Sequence, residues 1–235
     1  MIVITIGNKV GVFVGEEKII IFGLEQFADT MYDLLSVVPG KRVVAFCVDE
    51  AYIPTVTEKR RLPIIPFEKL EEYYSPDEVR IIFCIGYTRM NKIREIKMKE
   101  AKKRGYKIES YTHPTALIQA ASVGEGNIFM EGVIIGNGVT IGDGNIFWPA
   151  AHIAHHTMVG NYNFFTISVA VAGNIVIHDH CVFGANCTVK NGVEIAEGTL
   201  AGAGSYISFS TEKWSVYAPP KTYKLEGKSS LDFKL

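Results

Sequence analysis

A surplus of one charge sign is missing from this chain. Its 235 residues carry 24 Lys and Arg against 25 Asp and Glu, so no broad basic field favours nucleic acid. Long apolar runs are missing as well, and no membrane-spanning helix is expected. Met1–Ile6 is apolar but too short for a secretory core, and no basic segment precedes it, so no export signal is expected. Cysteine is scarce: Cys47, Cys84, Cys181 and Cys187 lack metal-ligand spacing, and a cytoplasmic, reducing location is expected. The dinucleotide fingerprint G-x-G-x-x-G is absent too. The stretch from Gly23 to Ala28 keeps only its first glycine, which argues against a redox Rossmann enzyme.

What is present is a strict period of six. From Leu117 an apolar residue recurs at Val123, Phe129, Ile135, Ile141, Phe147 and Ile153, and then without a gap to Ile207. Neither a helix nor an ordinary sheet needs that period. A solenoid does, because each coil must set an apolar side chain into the column of the coil below. A longer period lies over it: the segment from Val123 recurs from Ile141 and again from Val159. One coil is therefore three short strands and three corners. Four residues after each apolar position the side chain is compact, as at Asn127, Asn145, Asn163, Cys181 and Cys187, which suits a tight corner. Stacked Asn could bridge corner amides from coil to coil. An ordinary β-sandwich with regular turns fits this regularity less well.

The first 112 residues follow a different grammar. Met1–Ile6 and Val10–Val14 flank Gly7-Asn8-Lys9 and predict a hairpin. Strands are expected at Lys18–Phe22, Arg42–Val48 and Arg80–Ile85, with helices over Leu24 to Val38 and Met90 to Arg104. That order predicts a small parallel α/β, Rossmann-like domain, whose ligands would sit at the carboxyl ends of the strands. Those ends carry Gly23, Asp49 and Gly86. The expected division is 1–112 for this domain, 113–211 for a β-helix and 212–235 for a tail. A docking domain without a ligand is the alternative.

Five of the six histidines fall within the repeats: His152, His155, His156, His178 and His180. Three readings compete. His155 or His156, on the outer surface of a coil, could serve as a general base. A zinc site of the gamma-type carbonic anhydrase kind would need three His shared between subunits, and the spacing of these suits it poorly. Solvated surface histidines are the third reading, favoured for His152, His178 and His180.

The α/β segment, the linker at His113-Pro114, the hexads, the segment His152–Gly160 and the ending Gly202–Ser205 together resemble the bacterial sugar O-/N-acyltransferases. That family includes acetyltransferases of nucleotide-linked amino sugars and the sialic acid O-acetyltransferase branch. The resemblance implies a homotrimer of left-handed parallel β-helices that uses acetyl-CoA as co-substrate and no metal, with neither nucleic acid nor membrane as partner. By position it makes His155 the base and gives Gly173 the backbone N–H facing the thioester carbonyl. It sets Gly184, Ala185, Ala203 and Gly204 along the pantetheine, and Gly23, Asp49 and Gly86 on the sugar nucleotide. The segment from Ala218 to Lys221 resembles one that packs beside CoA.

The departures are local. The family reads Glu-His-Asp where this chain reads Ala154-His155-His156, and a second His nine residues on is Phe164. The Gly-Gly-His phosphate turn is replaced by Leu24–Phe27. The expected reaction is N-acetylation of a nucleotide-linked amino sugar by direct attack. O-acetylation of a sugar and a non-catalytic sugar-nucleotide scaffold are the alternatives.

Overall fold

The computed structural model describes the backbone of residues 2–6, 9–13, 16–227 and 229–232, with side chains for 16–227 and 229–231. Strands β1 (Ile2–Ile6) and β2 (Lys9–Phe13) pair antiparallel. Met1, Val14 and the Gly7-Asn8 part of the expected turn lie outside the described residues.

The α/β sheet is built from β3 (Glu17–Phe22), β4 (Lys41–Val48), β5 (Glu58–Lys59), β6 (Leu62–Pro66), β7 (Val79–Phe83) and β8 (Lys107–Ile108). Its order is β5-β6-β4-β3-β7-β8, parallel except for the β5–β6 pair. The chain runs from β3 outward to β6, then returns to the other side of β3. This reversal leaves a switch point between the carboxyl ends of β3 and β7, where parallel sheets hold ligands. Helix α1 (Gln26–Ser36) buries Ala28, Met31 and Leu35, and helix α2 (Lys92–Lys103) buries Arg94, Met98 and Ala101.

The hexads wind into a left-handed β-helix with three parallel faces. The first-face ladder runs from Tyr111–Thr112 to Val216–Tyr217, reaching past residues 113 and 211 on both sides. The second face includes His152–Ile153 and Ala170–Val171, and the third includes Met158–Val159 and Val176–Ile177. Inside the first face, Phe129, Phe147, Phe165 and Phe183 stack with centroids 4.6–4.9 Å apart and planes within 7° of parallel. At a corner, the Asn127 and Asn145 side-chain carbonyls accept from the N–H of Asn145 and Asn163, and that of Asn163 accepts from Cys181. The amides of Asn127 and Asn145 donate back to corner carbonyls at Gly142 and Gly160. The ladder thus pairs corner N–H groups from coil to coil, although the Asn163 side-chain amide is buried without an acceptor among the described residues.

The opening coil corrects one expectation. Ile118, rather than Leu117, pairs with Ile135, and Leu117 is 53% exposed. Val123 returns to register opposite Ile141, so the intervening corner is one residue shorter than the corner above it. The end coil pairs on one side only, and no coil beneath it enforces the six-residue step.

Outward residues of the first face, Ile128, Ile146, Phe164 and Val182, are buried in one cluster with Ile21 and Ile82 of the α/β sheet and Met31 of α1. Arg94 locks this contact. It is 1% exposed, and its guanidinium donates to the carbonyls of Gly144, Ile85, Gly86 and Asn163 and to Asn91 Oδ1, at 2.9–3.2 Å. Burial pushes its pKa down to about 9, while five oxygen acceptors hold the protonated form, so it is charged at neutral pH.

Candidate active site

From Gly126 to Gly204 each corner of the β-helix has one residue with positive φ, recurring every six residues. Glycine supplies several of them at no steric cost. Between the second and third faces the series reads Gly138, His156, Asn174 and Gly192, so His156 (φ 54°) takes a left-handed backbone with a full side chain.

His155 and His156 lie exposed on this second–third corner, with their Nδ1 atoms 3.2 Å apart. The two rings are inclined at 75°. The His155 ring leans one coil onward: a Cβ added to Gly173 would lie 2.5 Å from its Cε1 and 2.7 Å from its Nε2. The His156 ring leans one coil back, over Gly138. The Gly173 N–H has no hydrogen-bond partner among the described residues, whereas its neighbours Ala172 and Asn174 donate to Val189 and His155. Among the described residues no carboxylate is hydrogen-bonded to either ring. The remaining histidines of the repeats are placed elsewhere. His152 is exposed on the second face, His178 Nε2 meets Glu194 at 2.6 Å, and His180 docks against α2 through Glu95 at 3.2 Å. No three His, Cys, Asp or Glu side chains among the described residues converge as a metal-holding group.

Gly184 and Ala185 lie at the corner between the first and second faces, directly beneath Ala203 and Gly204 of the next coil. A Cβ at Gly184 would strike the Ala203 backbone, so close stacking of the coils requires glycine there. These four residues and His155 therefore occupy different corners, with the second face between them.

Gly23, Asp49 and Gly86 lie together on the wall of one cavity of about 750 Å³. It opens at the switch point of the sheet and is closed on one side by Trp148 and Phe164 of the first face. Gly23 (φ 129°) brings its backbone against the Cys84 carbonyl, 3.0 Å from where a Cβ would stand, so only glycine suits the turn. Asp49 is held by Lys97 of α2 at 2.6 Å. The wall is largely aromatic: Phe27 and Phe164 flank Trp148, Tyr87 sits edge-on to Phe164, and Tyr52 is 74% exposed. At the start of α1 the N–H groups of Gln26 and Phe27 have no acceptor among the described residues, that of Ala28 donates to the Glu25 carbonyl, and no described side chain caps the helix. The Trp148 Nε1 is buried without a hydrogen-bond partner among the described residues. Sequence reasoning missed Trp148, which looks like an ordinary repeat residue until the coils are stacked, and it named His156 only as a candidate base, without its contact to His155.

No protein-family model matches the chain, and no curated protein matches it by sequence. Solved structures do. The acetyltransferase domain of PglB from Neisseria gonorrhoeae FA1090 is 21% identical, with a TM-score of 0.76 over 87% of this chain and 97% of that one. PerB from Caulobacter crescentus, in complex with CoA and GDP-perosamine, is 23% identical, with a TM-score of 0.75 over 89% of this chain and 96% of that one. WeeI from Acinetobacter baumannii AYE is 17% identical, with a TM-score of 0.62 over 86% and 97% of the two chains. Over the matched part the chain therefore has the fold of these proteins, an α/β domain followed by a left-handed β-helix, as its sequence predicts.

Proposed function

We propose that the protein is an acetyl-CoA-dependent N-acetyltransferase acting on the amine of a nucleotide-linked sugar, with His155 as general base. The observation that carries the reading is the His155 ring resting on Gly173 beside an unpaired backbone N–H. In this reading His155 Nε2 removes a proton as the amine attacks the thioester carbonyl. The C–N bond forms, the Gly173 N–H holds the oxyanion, and the C–S bond breaks to release the CoA thiolate, which takes up the proton. The fold likeness to PerB in complex with CoA and GDP-perosamine, and to PglB in complex with acetyl coenzyme A, supports acetyl-CoA and a nucleotide-linked sugar as the substrate classes here.

The cavity suits a nucleotide-linked sugar by shape and by what it leaves unpaired. Aromatic walls suit a base or sugar ring, the uncapped start of α1 suits phosphate, and the Trp148 indole lacks an acceptor. Gly23, Asp49 and Gly86 are then its strand-end contacts. Within one chain this cavity faces the first face, while His155 stands at the opposite corner. The reaction therefore needs a neighbouring protomer, and a homotrimer is the proposed assembly. Ile134, Met158, Val176 and Tyr206, exposed on the second and third faces, offer apolar surface for it. Acetyl-CoA would then lie between two β-helices, past Gly184, Ala185, Ala203 and Gly204.

The test is a panel of nucleotide-linked amino sugars with acetyl-CoA, read by release of free thiol. Turnover of at least one amine acceptor is expected. Turnover of hydroxyl acceptors alone would replace N- by O-acetylation, and no stabilisation by CoA at large excess would favour a scaffold.

A further inference from the structure

The base proposed above lacks a carboxylate beside it, and the geometry points to the adjacent imidazole, His156, as the group that sets the tautomer of His155. This rests on the reading of His155 as base. A neutral imidazole can take a proton at Nε2 only if its one N–H is on Nδ1. An acceptor held beside Nδ1 favours that tautomer. Among the described residues the atom within reach is His156 Nδ1, at 3.2 Å. Only one of the two nitrogens can carry the shared proton, and the role of His155 Nε2 as base requires that it be the Nδ1 of His155. His155 donates from Nδ1, and His156 accepts at Nδ1 and keeps its own hydrogen on Nε2.

Three features hold the pair in this geometry. Gly173 leaves room for the His155 ring and Gly138 for the His156 ring, so each imidazole lies over a glycine of a neighbouring coil. His156 also keeps a left-handed backbone, which glycine supplies at the same corner in Gly138 and Gly192. That backbone is the ordinary geometry of the corner, shared by Asn174 one coil on, and it sets the direction in which the His156 side chain leaves the chain. The partner is neutral, so it orients the base without adding the negative charge that a carboxylate would supply. His156 is thus a positioning residue, acting through His155.

The substitution series follows from atom positions. The side-chain oxygen of Asn or Asp occupies the place of the imidazole Nδ1, and both residues tolerate a left-handed backbone. His156→Ala removes the acceptor, while His156→Asn and His156→Asp restore one. The proposal is read in two ways. First, ¹⁵N spectra of His-labelled full-length protein report which nitrogen of His155 is protonated. The wild type is expected to show His155 with its hydrogen on Nδ1, and His156→Ala to shift it toward Nε2. Second, kcat is expected to fall about tenfold in His156→Ala with KM for acetyl-CoA nearly unchanged, and to return in His156→Asn and His156→Asp.

The tautomer measurement needs no acceptor sugar, so it stands apart from the proposed reaction. His155 protonated on Nε2 in the wild type would overturn the proposal, as would full kcat in His156→Ala. Nδ1 atoms both free of hydrogen until a chelator is added would also overturn it, in favour of a bound metal ion. Failure of every acceptor with the tautomer as expected would instead remove the proposed reaction and leave the pair.

Discussion

His155 and Gly173 stand one coil apart, and the imidazole of the first covers the Cα of the second, leaving no room for a methyl group. Gly173 does not have positive φ, so alanine there is compatible with the backbone and the ring is what must move. Gly173→Ala is therefore expected to fold with nearly wild-type thermal stability and to lose turnover by roughly tenfold or more, the usual penalty for a misplaced general base. Steady-state kinetics with a thermal melt checks both halves.

Arg94 is expected to be among the most costly residues to replace. Removing its guanidinium leaves carbonyls of Ile85, Gly86, Gly144 and Asn163 short of a donor across the contact between the α/β domain and the β-helix. Arg94→Met should cost about 3–5 kcal/mol in denaturant unfolding, the range for breaking a buried charged network. Arg94→Lys should rescue little, because one ammonium cannot reach five acceptors in the guanidinium plane.

The Asn ladder supports a second stability prediction. Asn145→Ala strands the N–H of Asn163 and the carbonyl of Gly160 in a dry corner. A loss of about 2–3 kcal/mol is expected from two unsatisfied buried groups, measured by urea unfolding of the full chain.

The four cysteines are buried and free, and burial pushes Cys181 and Cys187 up to about 12. At pH 8 the native thiols should not react with a disulfide reagent, and all four should react once the protein is denatured. The linkage has a definite sign. The neutral thiol is favoured in the fold, so this contribution is complete below the ordinary value of 9.0 and is lost as pH rises toward about 12. Stability should fall with alkaline pH across that window.

The β-helix was legible because its repeat repeats a physical need: every coil must fill the same interior column. A second signal went unread. Glycines at Gly126, Gly132, Gly138, Gly144, Gly192, Gly198 and Gly204 mark the left-handed corner position with the same period. Strand β6 was missed because Pro63 and Pro66 argue against a strand, yet it still pairs with β4 through Ile64 and Ile65. Arg94 was hidden in a charged helix. Its spacing with Met98 and Ala101 marks the buried stripe, but nothing in the sequence says that carbonyls wait across the interface. The pairing of His155 with His156 depends on ring directions set by coils on either side, which neighbouring positions in the chain do not reveal.

The central claim is that His155 removes the acceptor proton. It is tested most directly by kcat of His155→Asn against wild type, with acetyl-CoA, an accepted amino sugar and a free-thiol readout, alongside the oligomeric state of both proteins. A fall of about 100-fold or more with the assembly intact is predicted. Unchanged turnover would contradict it.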